Sequence, residues 1–105
     1  MKLVILESPF SGDVERNINY ARQCVRHSLI QGESPICSHL LYTQEGILND
    51  DITDERMLGI RSGLAWLKVA ECSVVYVDYG VSKGMQYGID AAHKNYIPVI
   101  YRTIK

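Results

Sequence analysis

The stretch Ser73-Val-Val-Tyr-Val-Asp78, continued by Tyr79-Gly-Val-Ser-Lys-Gly-Met-Gln-Tyr-Gly-Ile-Asp-Ala-Ala92, decides the fold of this 105-residue chain. Its first six residues predict a buried strand, and the glycine-rich segment behind them predicts a turn and then a helix from about Gly84 to Lys94. In a strand–turn–helix unit, the free backbone N–H groups and the positive end of the helix dipole point to the same region at the start of the helix. Such a region suits a phosphate, a carboxylate or a sugar hydroxyl. We therefore expect a ligand site here.

The rest of the chain repeats this alternation of apolar strands and amphipathic helices. The predicted elements are a strand at 3–6, a helix at 14–31, a brief strand at 36–42, a helix at 52–70, the strand at 73–78, the helix at 84–94 and a strand at 97–101. Asp13 is the expected N-cap of the first helix and Gly32 its expected stop. Strands that are apolar throughout and alternate with helices favour a parallel sheet covered on both faces. We predict one α/β domain over 1–105, a Rossmann-like three-layer sandwich with a mainly parallel sheet of about four to five strands.

In such sheets, ligands bind outside the carboxyl ends of the strands, where the strand order reverses. Three predicted loops meet this description: Glu7–Asp13, His39–Tyr42 and Asp78–Gly84. Their side chains are the candidate site residues.

Composition excludes several other classes of protein. The formal net charge is −1, and lysine and arginine are mixed with acidic residues, which argues against a nucleic-acid groove or a basic membrane-binding face. The three cysteines have no CxxC spacing and the three histidines no metal-ligand spacing, so we expect no disulfide framework, no metal and a reducing cytoplasmic location. The apolar run at 3–6 is too short for a signal peptide or a membrane span.

The loop after the first strand, the Ser38–Tyr42 stretch, Gly84-Met-Gln-Tyr-Gly88 with Ala91-Ala92, and Pro98-Val99 resemble the nucleoside 2-deoxyribosyltransferase family and its nucleotide N-glycosidase relatives. The resemblance spans nearly the whole chain in order and spacing, although each motif is short. It implies a small Rossmann-like subunit whose pocket is completed by a neighbouring subunit, and hence a homo-oligomer.

In that family a glutamate in a Gly-x-Glu-Leu-Gly-type sequence at the start of the third helix attacks the anomeric carbon of the sugar. The resemblance places Gln86 at this position, or Gly88 when the match is shifted by two residues. Neither glutamine nor glycine can act as the nucleophile. If the protein is an enzyme, Asp90, Asp78 or Glu7 would have to supply a relocated carboxylate, and an Asp90→Asn substitution would then abolish base release while preserving binding.

The remaining candidates follow from the loops and the resemblance. A loop of small hydroxyl and glycine residues that leads into a helix can cradle an anion, and the loop after the third strand can contact sugar, base or phosphate. Each candidate also has a purely structural alternative: a helix cap for Asp13, a turn cap for Asp78, local hydrogen bonds for His39 and a solvated charge for Lys83. The candidate nucleotide-binding residues are Ser8, Phe10, Ser11, Gly12, Asp13, His39, Tyr42, Asp78, Ser82, Lys83, Gly84, Met85 and Gln86.

Three functions are compatible with these features. The first is a nucleotide- or nucleoside-binding protein that lacks glycosyl-transfer chemistry, and this is the function we predict. The second is an active deoxyribosyltransferase or N-glycosidase with a relocated carboxylate, and the third is an interaction subunit whose tyrosines and Trp66 face a partner. A dinucleotide is disfavoured because no GxGxxG turn follows the first strand, and no cofactor is expected. The loop from Thr43 to Asp54 is the predicted lid or inter-subunit arm.

Overall fold

Four parallel strands form the centre of the computed structural model, which describes residues 1–105, and helices cover both faces of the sheet. The elements are β1 (Lys2–Glu7), α1 (Val14–Ile30), β2 (Glu33–Ile36), α2 (Ser38–Tyr42), α3 (Thr53–Ala65), a 3₁₀ turn (Trp66–Lys68), β3 (Cys72–Tyr76), α4 (Lys83–Lys94) and β4 (Val99–Arg102). The predicted fold class is confirmed, with four strands in the sheet. None of the helices combines the length and apolar character needed to cross a bilayer.

The strand order is β2-β1-β3-β4, and all neighbouring pairs are parallel. The chain moves from β1 to one side to form β2, and then returns past β1 to form β3 and β4 on the other side. The strand order therefore reverses between β1 and β3, where Glu7 at the end of β1 is the register partner of Val75. This is the position at which open parallel sheets bind ligands.

Alternation along β1 divides the core into two layers. Val4 and Leu6 face α1 and pack in a cluster with Tyr20, Ala21 and Cys24. Ile5 faces the opposite layer, where it packs with Leu67 of the 3₁₀ turn and with Ala92 of α4. The side chain of Glu7 is two residues beyond Ile5 and therefore emerges on the α4 side of the sheet.

The ends of α1 have the predicted capping chemistry. Asp13 is the N-cap, and its Oδ1 accepts the N–H of Arg16 at 3.2 Å. The helix ends at Ile30, and Gly32 follows with φ of +86°, a left-handed conformation that glycine adopts without steric cost. The predicted helix start and stop are both confirmed.

The predicted strand at 36–42 is wrong. The strand ends at Ile36, and residues 38–42 form the short helix α2, in which the N–H groups of Leu40 and Leu41 both donate to the carbonyl of Cys37. The strand instead begins earlier, at Glu33, and contains Pro35. Proline is tolerated there because β2 is an edge strand, so its missing N–H leaves no ladder bond unmade.

The helix predicted at 52–70 is shorter and packs differently than expected. Its α-helical part ends at Ala65, and the apolar side chains of Met57 and Val69 are exposed. The helix approaches α2 through glycine instead. A Cβ built on Gly63 would lie 2.9 Å from the Cβ of Ser38, closer than side-chain carbons can pack. The contact between α3 and α2 therefore requires glycine at position 63.

Candidate functional site

The carboxyl ends of β1 and β3 meet where the strand order reverses, the edge outside which open parallel sheets hold a ligand crevice, and Glu7 lies there at the end of β1. The Glu7 side chain is partly buried, and no group of the protein donates a hydrogen bond to its carboxyl. Burial alone raises the pKa of this carboxyl from its ordinary 4.5 to about 8. Glu7 is therefore a protonated carboxylic acid at neutral pH, in a structure that gives it no partner.

Glycine at position 88 makes room for this carboxyl. Gly88 lies on the buried face of α4, directly against Glu7. A Cβ built on Gly88 would overlap Glu7 Oε2 and lie 2.7 Å from Glu7 Cδ. The position of the acid thus requires that residue 88 have no side chain.

The N-terminus of α4 follows β3 at the same edge of the sheet. Ser82 is the N-cap: its Oγ accepts the N–H of Met85 at 3.2 Å, and its carbonyl accepts the N–H of Gln86. The N–H groups of Lys83 and Gly84 precede the first intrahelical bond and have no helical acceptor. A Cβ built on Gly84 would meet nothing within 4 Å, so these donors border open space one helical turn from Gly88.

The loop after β1 lies at this edge as well and packs against α2 and α1. Ser8 Oγ lies 2.9 Å from His39 Nε2, and the Phe10 ring meets the His39 ring edge-on with 6.0 Å between centroids. Asn17, which is buried on α1, braces the loop by donating to the carbonyls of Phe10 at 2.9 Å and Ser11 at 3.1 Å. Three of the predicted site residues therefore lie together: Ser8, Phe10 and His39.

The ionisable groups beside Glu7 are uncharged near neutral pH. Burial lowers the pKa of His39 to about 4, so its imidazole is neutral. Its Nε2 lies 3.6 Å from the Cys37 thiol, whose pKa burial raises to about 12. No cation stabilises a charge on Glu7 from this side, which is why desolvation decides the pKa of Glu7.

Asp78 has partners outside the crevice. Its Oδ1 accepts the Tyr20 hydroxyl at 2.5 Å and the Ile104 N–H at 3.1 Å, and its Oδ2 accepts the Lys105 N–H at 3.3 Å. Burial raises the pKa of Asp78, but these hydrogen bonds outweigh burial and hold it below its usual value. The carboxylate fastens the C-terminal residues to the end of β3.

The hydrogen bonds to Asp78 lead to a stability prediction. Asp78→Asn replaces one acceptor oxygen by an NH₂ group, which cannot accept from Tyr20 and the two backbone N–H groups together. We expect a loss of about 1–3 kcal/mol in the free energy of unfolding, measured by urea denaturation, and faster proteolysis after residue 102. Unchanged stability would show that the carboxylate is free for another role.

The structure separates several other predicted residues from Glu7. Gln86 and Asp90 lie on the exposed face of α4, where the Gln86 amide donates to the Asp90 carboxylate at 2.8 Å. The Tyr42 hydroxyl accepts the Trp66 indole N–H at 3.1 Å, which ties it to the end of α3. Asp13 caps α1, and Ser11 and Gly12 beside it are exposed.

The segment predicted as a lid folds back on its own neighbours. Leu48 N–H donates to the Tyr42 carbonyl, Thr43 donates to the His39 carbonyl, and Glu55 accepts the Asn49 N–H at 3.0 Å. Between this segment, α2 and α3 lies a cavity of about 70 Å³, much smaller than the roughly 300 Å³ that the smallest ligand pockets occupy.

Two residues that shape the site, Asn17 and Gly88, had no binding role in the sequence-based assignment, and Glu7 entered it only as an alternative carboxylate. The signals were a lone acid that ends the apolar run of β1, and a buried asparagine that interrupts the apolar stripe of α1. The overlap between Glu7 and a side chain at position 88 depends on how β1 and α4 are packed, which no local pattern shows.

Comparisons with known proteins agree with this architecture. A family model described as "Domain of unknown function (DUF7768)" matches residues 2–102, and no curated protein matches the sequence. Among solved structures, the chain is similar to a 2-deoxyribosyltransferase from the psychrotolerant bacterium Bacillus psychrosaccharolyticus, with a TM-score of 0.64 and 18% identity. That similarity covers 98% of this chain and 74% of the other. At this identity the likeness establishes a shared fold.

Proposed function

The chain belongs to the DUF7768 family, and since the family's description names no activity, we propose from the site itself that the protein binds a nucleoside or nucleotide in the crevice between β1 and α4. The observation that carries this proposal is the unpartnered Glu7 carboxyl at the reversal of strand order, beside the free N–H groups of Lys83 and Gly84. An acid without a protein partner and a bare helix start at the same edge are groups whose hydrogen-bonding capacity a ligand would satisfy.

The two kinds of group suit different parts of one ligand. The helix start offers two backbone donors and the positive end of the α4 dipole, which favour a phosphate or another anion. The Glu7 carboxyl lies deeper, against Gly88, and its neutral form both donates and accepts a hydrogen bond. Sugar hydroxyls and nucleobase edges need this combination.

The aromatic wall suits a base. Phe10 and His39 form an edge-to-face pair in the segments that follow β1 and β2, and aromatic side chains of this kind stack on nucleobases or pack against a pentose. The fold that the chain shares with a 2-deoxyribosyltransferase supports the same class of ligand, because that enzyme's own name refers to a deoxyribosyl group. A second copy of the chain would enclose a ligand that the open crevice holds on one side only.

Thermal denaturation with a panel of nucleosides and their 5′-phosphates tests the proposal. A ligand at one hundred times its Kd stabilises the folded state by about 2.7 kcal/mol, which for a domain of this size raises Tm by roughly 10 °C. Selective shifts by members of the panel are expected. If no member raises Tm, the proposal is wrong.

A Gly84→Leu variant locates the binding site. Gly84 borders open space and has an ordinary helical backbone, so leucine fits without strain but fills the region in front of the free N–H groups. We expect its Tm without ligand to match or exceed that of the wild type and its ligand-induced shift to disappear. Lys94→Leu, at the opposite end of the same helix, is the matched control and should keep the full shift.

A further inference from the structure

We propose that strand β4, the free edge of the sheet, pairs in antiparallel fashion with β4 of a second copy of this chain. The two four-stranded sheets then form one continuous sheet of eight strands. The family resemblance implies a homo-oligomer but assigns no surface to it, whereas the edge strand specifies the surface, the register and the residues that meet. This pairing needs no ligand and does not depend on the proposed function.

The outer side of β4 carries four open backbone groups. β4 is the last strand of the sheet and has only β3 as a strand neighbour. The carbonyls of Pro98 and Arg102 accept N–H groups of β3 at 2.8 and 2.9 Å, so these residues, with Ile100 between them, turn their backbone groups toward β3. Because backbone groups alternate in direction along a strand, the N–H and C=O groups of Val99 and Tyr101 point away from the sheet.

The two edges of the sheet differ in their protection against pairing. Edge strands are commonly protected by proline, lysine, a bulge or a covering segment, and β2 contains Pro35. The sequence Val-Ile-Tyr-Arg of β4 has neither proline nor lysine, and its one charge, on Arg102, is paired with Glu33 at 2.9 Å. The segment that follows β4 bends toward β3, where Asp78 holds its backbone. The β4 edge is therefore open to another strand.

One antiparallel register satisfies all four open groups. When Ile100 lies opposite Ile100 of the partner subunit, Val99 lies opposite Tyr101 of the partner subunit, and the two residues exchange both N–H···O bonds. The two-fold axis through position 100 repeats this exchange, which gives four backbone hydrogen bonds. The edge is thus complementary to itself, and this favours a second copy of the chain over an unrelated strand.

The side chains on both faces of the strand fit this register. Tyr101 is 54% exposed and would pack against the partner's Val99, a pair of aromatic and β-branched side chains of the kind that stabilises sheets. Ile100 is 40% exposed and would meet the partner's Ile100 in a non-hydrogen-bonded pair, where cross-strand side chains approach most closely. No like charges oppose each other.

Exposed aromatic area beside the strand supports a dimer of moderate affinity. Tyr96, three residues before β4, is 94% exposed, and the register places it beside the segment that follows the partner's β4. A buried aromatic side chain contributes roughly 150–250 Å², so the exposed parts of Tyr96 and Tyr101 offer about 220–370 Å² per protomer. Standard interfaces bury about 800 Å² per partner, and the strand backbone and Ile100 add to the tyrosine area. We expect a reversible dimer with a Kd of micromolar order.

Ile100→Lys and Ile100→Glu test the register. Each variant places two like charges opposite each other at the two-fold axis, and the partial exposure of Ile100 lets either side chain reach solvent in the monomer. Sedimentation equilibrium of the full chain from about 1 μM to 1 mM should show a wild-type dimer and, for each variant alone, a Kd at least about 100-fold higher. An equal mixture of the two variants should associate again, because lysine then lies opposite glutamate.

Tyr101→Pro tests the backbone pairing independently. Proline is accepted at an edge position whose N–H faces solvent, so the bonds to β3 remain, but two of the four bonds to the partner are lost. The Kd of dimerisation should rise at least about 100-fold. Tyr101→Phe is the matched control, since it keeps the N–H and the ring, and it should dimerise as the wild type does. Urea denaturation of each variant establishes that it is folded.

A wild-type chain that is monomeric over the whole concentration range would refute the proposal. So would a dimer that persists unchanged in Ile100→Lys and Ile100→Glu, because another surface would then hold it together. Loss of the dimer in both variants without association of their mixture would overturn the register through position 100. If Tyr101→Pro fails to fold, the two Ile100 variants and their mixture decide the question.

Discussion

Gly88→Ala is expected to destabilise the protein by about 2–4 kcal/mol, as measured by urea denaturation at pH 7. The new methyl group would overlap the Glu7 carboxyl, and either the acid or the helix must move. Alanine inside a helix is normally favourable, by about 1 kcal/mol over glycine. Helix propensity alone would therefore make Gly88→Ala stabilising. We expect destabilisation instead, because Glu7 excludes the methyl group sterically.

The same substitution in a Glu7→Ala background separates the two effects. Without the long side chain of Glu7, the three atoms nearest to the methyl group at position 88 are gone, and the helix propensity favours alanine. We expect Gly88→Ala to be neutral or stabilising there, which gives a coupling energy of at least about 2 kcal/mol between the two positions. Equal destabilisation in both backgrounds would show that the methyl group meets other atoms.

The stability of the wild-type protein should decrease as pH rises from 5 to 9. Below the ordinary pKa of 4.5, Glu7 is protonated in both the folded and the unfolded state, and its contribution does not change. Between 4.5 and about 8 the unfolded chain releases this proton while the folded protein retains it, so the unfolded state is progressively favoured. The full difference is on the order of 4 kcal/mol, a large fraction of a typical domain stability.

Glu7→Gln isolates this contribution because it removes the titration without changing the shape of the side chain. The stability of this variant relative to the wild type should increase across the interval from pH 5 to pH 9. Glu71→Gln, the same substitution just before β3, is the matched control. Urea denaturation at several pH values measures both curves. A difference between Glu7→Gln and the wild type that is independent of pH would mean that Glu7 ionises normally in the folded protein.

Local patterns predicted most of the fold because most of its elements carry their own signals. The Asp13 cap is confirmed, and α4 begins within one residue of the predicted Gly84. The strand predicted at 73–78 is present as β3 (Cys72–Tyr76). The errors arose where tertiary contacts decide. Residues 38–42 resemble a strand by composition, but they form a helix whose His39 reaches across to Ser8. Long-range contact of this kind overrides local propensity.

The location of the candidate site stays a prediction. Two of the loops at the carboxyl edge do lie together, since Ser8 is within hydrogen-bond distance of His39, as the topology of a parallel sheet leads one to expect. The carboxyl group was sought on α4, where Gln86 and Asp90 lie on the outside, because sequence similarity compares residues at equivalent positions in the chain. Such a comparison does not detect a carboxyl group that occupies the same space but belongs to a different element. Only the packing of β1 against α4 reveals it.

The contact between Glu7 and Gly88 also limits how this sequence can diverge. A long acid at the end of β1 and any side chain on α4 exclude each other from the same volume, so neither position can vary freely on its own. Homologous chains should keep the acid with the glycine, or exchange both together for a short residue on the strand and a larger one on the helix. Positions 7 and 88 are therefore expected to vary as a pair across this family.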